Sequence, residues 1–295
     1  MALCPDAERV KSNKIVANPI QLCSMLNAHR DFLFQDIYKF AALVEDCVAD
    51  SLMFFELGLE DDESLIKRLL KPQKLTLLHV YIFTMIRVWQ SRHYRKNPEI
   101  YEDTEPSRLK RVFEEYRIPL TPCPVTGEAT GAMRQGTYEA VDSGVMFYDW
   151  FLENESSFLQ YWTRVTDEVF HIVFANRRFL QQFGSALADY LKTELPADSA
   201  GHVLLGSKIE RPSRYPAWLK TAVFYRDHGR CVFCMCDLSG LVATDRRLHF
   251  DHIVPLNRGG SNDPSNFQLL CQGCNLGKSD GPARAGRLYI PWWDY

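Results

Sequence analysis

The sequence predicts a mainly α N-terminal domain followed by a small α+β C-terminal domain held together by cysteines. Three observations predict it. Helical periodicity runs with few breaks from about Pro19 to Leu195. It fails in LPADSAGHVLLGSKIERPSRYP, Leu195–Pro216, where Pro, Gly and Ser gather. Beyond that break stand two Cys-x-x-Cys pairs. The boundary is placed near residue 200, giving domains 1–200 and 201–295, and 295 residues suffice for two ordinary domains.

Taken in order, Phe32, Ile37, Phe40, Ala41, Val44, Val48, Leu52 and Phe55 recur near a 3.6-residue period, so this stretch is expected to be a helix. DDESLIKRLLK has acidic residues at its start and basic ones at its end, which suits the helix dipole. Pro72 interrupts the chain before an apolar helix expected over Leu75–Trp89. DTEPSRLKRVFEEYRI opens on a cap-like Asp103 or Thr104, with Pro106 in a first turn. PLTPCPVTGEATG, Pro119–Gly131, reads as a loop, after which the helical pattern resumes until the break before residue 200. His79, Glu168 and His171 lie on apolar helical stretches and are expected to be hydrogen-bonded core groups. The aromatic tail RLYIPWWDY is expected to pack back on the body.

Hydrophobic content of 46% and charge of 24% are ordinary for a soluble globular protein. From Leu205 onward there are 12 Lys and Arg against 8 Asp and Glu, a net +4, and the first 204 residues carry a net −7. A basic C-terminal part can face phosphates. The most apolar stretch, Leu75–Ile86, is 12 residues long and carries His79, too short to span a bilayer. MALCPDAERVKSNK lacks the basic and apolar regions of a signal peptide. With nine cysteines, four of them in knuckle-like pairs, metal binding in a reducing compartment is expected, hence the cytoplasm, without a membrane.

Cys231-x-x-Cys234 and Cys271-x-x-Cys274 give four thiolates that can converge tetrahedrally on Zn2+. Cys236 lies beside the first pair, and the sequence leaves open whether it replaces Cys234. Cys4, Cys23, Cys47 and Cys123 read as buried or incidental thiols. Four thiolates close the zinc shell and leave no position for substrate, so this zinc is structural and the chemistry must lie between the knuckles. There RLHFDHIVP reads as a strand ending on Asp251 and His252. NRGGSNDPSN is a turn-rich loop, FQLLC a second strand and QGCNLGKSD a helix start.

The ordered set Asp251-His252-Ile253-Val254-Pro255, Gly259-Gly260, Asn266, Cys271-x-x-Cys274-Asn275 and Lys278 resembles the HNH endonucleases, in the subgroup with a four-cysteine zinc site. The resemblance covers about Tyr225 to Asp280 and implies the ββα-metal fold (the His-Me finger). It also implies roles. His252 would be the general base for the attacking water. Asp251 and Asn275 would hold one divalent cation, Mg2+ or Mn2+, and Asn266 would brace the loop that aims His252. Lys278, Arg258, Arg246 and Arg247 are candidate phosphate contacts. The expected reaction is hydrolysis of DNA phosphodiester bonds, with double-stranded DNA as partner. HNH nucleases joined to an extra domain often serve restriction or anti-phage defence, so the helical domain is expected to target, sense, bind a regulatory partner or form a homo-oligomer. RVWQSRHYRK, Arg87–Lys96, mixes cations with aromatics as nucleic-acid contacts do, but the helix dipole favours reading it as a basic helix C-terminus. The competing reading of the whole is a zinc ribbon that grips nucleic acid without cutting it.

Overall fold

The computed structural model describes residues 32–48, 63–96, 105–125, 143–193, 209–240 and 247–290. The expected domain boundary near 200, together with Cys4, Cys23, Leu52, Phe55 and Arg246, lies outside them. The described helices of the N-terminal part are α1 (Ile37–Cys47), α2 (Glu63–Leu70), α3 (Leu77–Lys96), α4 (Glu105–Glu115), α5 (Ser143–Glu153), α6 (Glu155–Ala175) and α7 (Arg177–Thr193). The C-terminal part holds α8 (Ala217–Arg226), β1 (Leu248–His252), β2 (Phe267–Cys271) and α9 (Gln272–Lys278). Among the described residues, no helix is long and apolar enough to cross a membrane.

Helix α3 is the axis of the body. Its first half buries Leu77, Leu78, Val80, Tyr81, Ile82, Phe83, Met85 and Ile86, apolar on all sides, and such a helix must be enclosed by others. It packs against α6, α1 and α2. The helix begins at Leu77, two residues later than its apolar run suggests, because Thr76 caps it: the Thr76 Oγ1 accepts from the His79 amide at 3.1 Å. The His79 Nδ1 reaches back to accept from the Thr76 amide at 3.2 Å, closing a capping box with histidine in the place usually taken by Glu or Gln. The helix also runs past Trp89 to Lys96. Gln90 accepts from the Trp162 indole at 2.6 Å and donates to the Tyr94 hydroxyl at 2.7 Å, which donates to Glu105 at 2.7 Å. Those buried polar side chains are satisfied and therefore tolerated.

Glu168 is buried and accepts from the Leu33 and Phe34 amides and from Tyr116, a core group as expected. His171 departs from expectation. It is exposed, its Nδ1 lies 2.8 Å from the Asp167 carbonyl, and it packs edge-on against Phe32. One apolar flank does not bury a helix position that turns outward. Cys47 and Cys123 are buried. Arg177 of α7 holds the tail, its amide donating to the Tyr289 hydroxyl at 3.1 Å and its guanidinium lying over the Tyr289 ring.

The C-terminal part has its own small core: Leu219, Val223, Val232, Leu238, Phe267, Leu269 and Leu270. β1 and β2 form a two-stranded antiparallel sheet in the register His252↔Phe267, Asp251↔Gln268, Leu248↔Cys271. The module is nonetheless fused to the body, since Ile253 and Ala285 belong to the helical core. A buried ion pair, Arg177 of α7 with Asp227 at 3.4 Å, crosses the junction.

Candidate functional site: a buried His-Asp pair beside a four-cysteine cluster

The first knuckle is folded by a bridge between Arg230 and Asp237 and by the Cys231 amide donating to the Cys236 carbonyl at 3.0 Å. The Val232 amide donates to the Leu269 carbonyl at 3.0 Å, which lays the knuckle along β2 and brings it to the second pair. Sulfurs of Cys231, Cys234, Cys271 and Cys274 all lie within 4.8 Å of one another. Cys234, not Cys236, completes the set. The Cys234 and Cys271 sulfurs are 3.8 Å apart, and a tetrahedron with Zn–S bonds of about 2.3 Å has edges of about 3.8 Å. The cluster can hold a zinc ion. Burial raises the Cys234 thiol, but hydrogen bonds from the Cys236 amide and neighbouring thiols outweigh it and hold it at about 7. Burial pushes the Cys231 and Cys274 thiols up.

Between the knuckles, β1 delivers Asp251 and His252 and is followed by a 14-residue connection to β2. Two glycines shape this connection. Gly259 takes φ 86°, and a Cβ on Gly260 would lie 1.9 Å from the Val254 carbonyl oxygen, so only glycine lets the loop fold this tightly. Asn266 braces it. Its Oδ1 accepts from the Val254 amide at 2.8 Å, and its Nδ2 donates to the carbonyls of Val254 at 2.9 Å and Ser261 at 2.8 Å.

His252 is 1% exposed, with its ring 4.4 Å from Phe267 and 6.3 Å from Tyr215. Its Nε2 lies 3.0 Å from the Asn262 Oδ1, and its Nδ1 is buried with no hydrogen-bond partner. Burial lowers the imidazole to about 4; the Asn262 contact opposes this, and the charges of Arg211 and Lys278 add to it. The ring is neutral at physiological pH. The adjacent Asp251 is also buried, its Oδ2 accepting from Gln268 at 3.0 Å and pairing with the Lys278 ammonium at 3.0 Å.

Lys278 is not placed as a surface phosphate contact. Its side chain is 2% exposed, and the ammonium is held by Asp251 and by the His252 carbonyl at 2.7 Å. Asn275 is half-buried on the same helix, α9, three residues before Lys278, so both side chains fall on one face. Arg258 is exposed, with its Nε donating to the Asp280 carbonyl at 3.2 Å, and Arg247 is exposed just before β1. Three residues at this site escaped the sequence reading. Asn262 and Gln268 touch the two central side chains, and Tyr215 turns a buried, unpartnered hydroxyl into their neighbourhood. An Asn within GGSNDPSN looks like turn chemistry, and only contacts far along the chain reveal its task.

No curated protein and no solved structure matches the chain. A family model described as HNH endonuclease matches residues 231–281, the segment that spans both cysteine pairs, β1, the braced loop, β2 and α9. The chain therefore carries an HNH endonuclease domain at residues 231–281, built over a four-cysteine cluster.

Proposed function

We propose that the protein is a metal-dependent endonuclease that hydrolyses phosphodiester bonds of double-stranded DNA, with His252 as general base. The observation that carries this reading is the His252 Nδ1. A buried nitrogen lone pair without a partner costs stability unless the site has another use for it, and it stands one residue from a carboxylate suited to a cation. In the reaction, a water oxygen attacks phosphorus, its proton passes to Nδ1, and the P–O bond to one deoxyribose oxygen breaks, that oxygen leaving with the electron pair and taking a proton from solvent water. General-base help of this kind contributes roughly 10²–10⁴-fold. With burial lowering it to about 4, the imidazole is unprotonated at neutral pH and free to accept a proton.

Asp251 and Asn275 offer hard oxygen donors that fit Mg2+ or Mn2+. The Lys278 ammonium on Asp251 marks that carboxylate as a place where positive charge is held in the interior. When bound, the cation supplies electrostatic stabilisation of the charge that builds on the phosphate and leaving oxygens. The four cysteines hold Zn2+, which fixes β2 and α9 relative to the first knuckle.

Water must reach Nδ1, which is closed to solvent here, so cutting requires the surroundings of His252 to open. That favours a nuclease restrained until DNA engages it, and a role in anti-phage or restriction defence in the cytoplasm fits such restraint. The test is incubation of supercoiled plasmid with Mg2+ or Mn2+. Wild type should nick or linearise it, and His252→Ala should lose roughly 10²–10⁴-fold in rate. If both proteins retard the DNA and neither cuts it, the zinc-ribbon binding reading replaces the nuclease.

A further inference from the structure

The loop between the strands does more than return the chain. Its Asn262-Asp263 pair caps two helix ends in the body. The last carbonyls of α2 have no partners within the helix. The Asn262 amide donates to the Leu69 carbonyl at 2.8 Å, and its Nδ2 to the Leu70 carbonyl at 3.0 Å. The second Nδ2 proton goes to the Glu210 carbonyl at 2.8 Å. Asp263 is 1% exposed, and its Oδ2 accepts from the Leu77 amide at 2.6 Å, at the N-terminus of α3, where the helix dipole favours a carboxylate.

This bonding fixes a proton elsewhere. With both Nδ2 protons given to carbonyls, the amide cannot flip without setting its oxygen against two other oxygens. Oδ1 therefore faces His252, and an amide oxygen can only accept, so the His252 Nε2 must carry the proton. Nδ1 is left as the lone-pair nitrogen, the atom that has no partner. We infer that Asn262 is a positioning residue that selects the Nε2–H tautomer of His252, and that the C-terminus of α2, with the Glu210 carbonyl, holds Asn262 in the orientation that does so. The helical body thereby reaches the base through one side chain, and displacement of the α2–α3 turn frees the imidazole. The catalytic half of this inference rests on the nuclease reading, whereas the tautomer half does not.

The test is 15N NMR of full-length protein labelled at its eight histidines, at neutral pH, with His252 assigned from the peak lost in His252→Ala. Wild type should show a protonated Nε2 and an unprotonated Nδ1. Asn262→Ala should lose that pattern and mix the two tautomers, with plasmid cleavage down about 10- to 100-fold, as for loss of other orienting partners. Asn262→Asp can still accept from Nε2–H but cannot donate to Leu70 or Glu210. It should keep Nε2 protonated and still cut more slowly, because its second oxygen faces the Leu70 and Glu210 carbonyls and no longer ties the ring to the body. A wild-type Nδ1–H spectrum overturns the inference even if the alanine variant does not fold. So does an Asn262→Ala protein with the wild-type pattern. Wild type that shows Nε2–H yet cuts no DNA would remove the nuclease reading and leave the tautomer control standing.

Discussion

Among the described residues, the helical body and the four-cysteine module each bury one histidine, and the two are easily confused. His79 and His252 are 5% and 1% exposed, and burial lowers both, to about 3 and about 4. Each is neutral, and each packs on an aromatic ring, His79 stacked 3.7 Å from Phe170 and His252 tilted 4.4 Å from Phe267. The difference is one lone pair. The His79 Nδ1 is used by Thr76, closing a helix cap, whereas the His252 Nδ1 is used by nothing. Burial and a depressed pKa therefore do not separate His79 from His252; the missing Nδ1 partner does so for this pair, and only together with the neighbouring Asp251, since the His249 Nε2 is also buried without a partner.

The largest expected effect is on cleavage, which should separate the two. His252→Ala should cost roughly 10²–10⁴-fold in cleavage rate, and it should also lower the melting temperature, because it empties buried space beside Phe267 and strips the Asn262 Oδ1 of its partner. His79→Gln should leave cleavage close to wild type and act on stability. If His79→Gln abolishes cleavage while the protein stays folded, the division of labour drawn from Nδ1 is wrong.

What the sequence revealed follows the same division. Within the module, strand, loop, strand, helix and the four cysteines were legible, because their partners lie within some fifty residues and each residue type carries its own geometric demand. Gly260 is glycine because Val254 leaves no space, and Cys271 and Cys274 are cysteines because four sulfurs converge. The junction was not legible. Lys278 looked like a surface cation until Asp251 supplied a buried partner, and Asp263 caps a helix that begins 186 residues earlier in the chain. The extent of α3 was also not legible: expected to end at Trp89, it runs on to Lys96, where Gln90 and Tyr94 find buried partners in Trp162 and Glu105. Contacts between distant segments leave no periodic trace.

The next effect is on stability against pH. His79 is at about 3 in the folded protein and near 6.5 when unfolded; burial is the main cause, and the charges of His171 and Arg68 add to it. Between these values the unfolded chain binds the extra proton. The contribution of neutral His79 is therefore complete above pH 6.5 and is lost as pH falls towards 3. It amounts to a few kcal/mol. Urea unfolding of wild type should steepen across this window, and His79→Gln should flatten the curve. Smaller again is Asp263→Ala, which leaves the Leu77 amide buried without its acceptor and should cost about 1–3 kcal/mol in the same measurement. An unchanged midpoint for that variant would mean that the loop does not cap α3 in solution.

The smallest expected effect tells which part faces DNA. Arg247 and Arg258 of the module are exposed, as are Arg95 and Lys96 at the basic end of α3. Each phosphate contact contributes close to one unit to the slope of log affinity against log salt. If DNA lies along the module, Arg258→Ala should weaken binding uniformly across sequences and reduce that slope by about one. Arg95→Ala should leave the slope unchanged. The reverse outcome would move the DNA path onto the helical body and make RVWQSRHYRK part of the interface, so that the body guides the substrate as well as holding Asn262. Titrations of a fluorescent duplex at several salt concentrations separate the two, because a slope counts released counterions and is insensitive to a modest loss of fold stability.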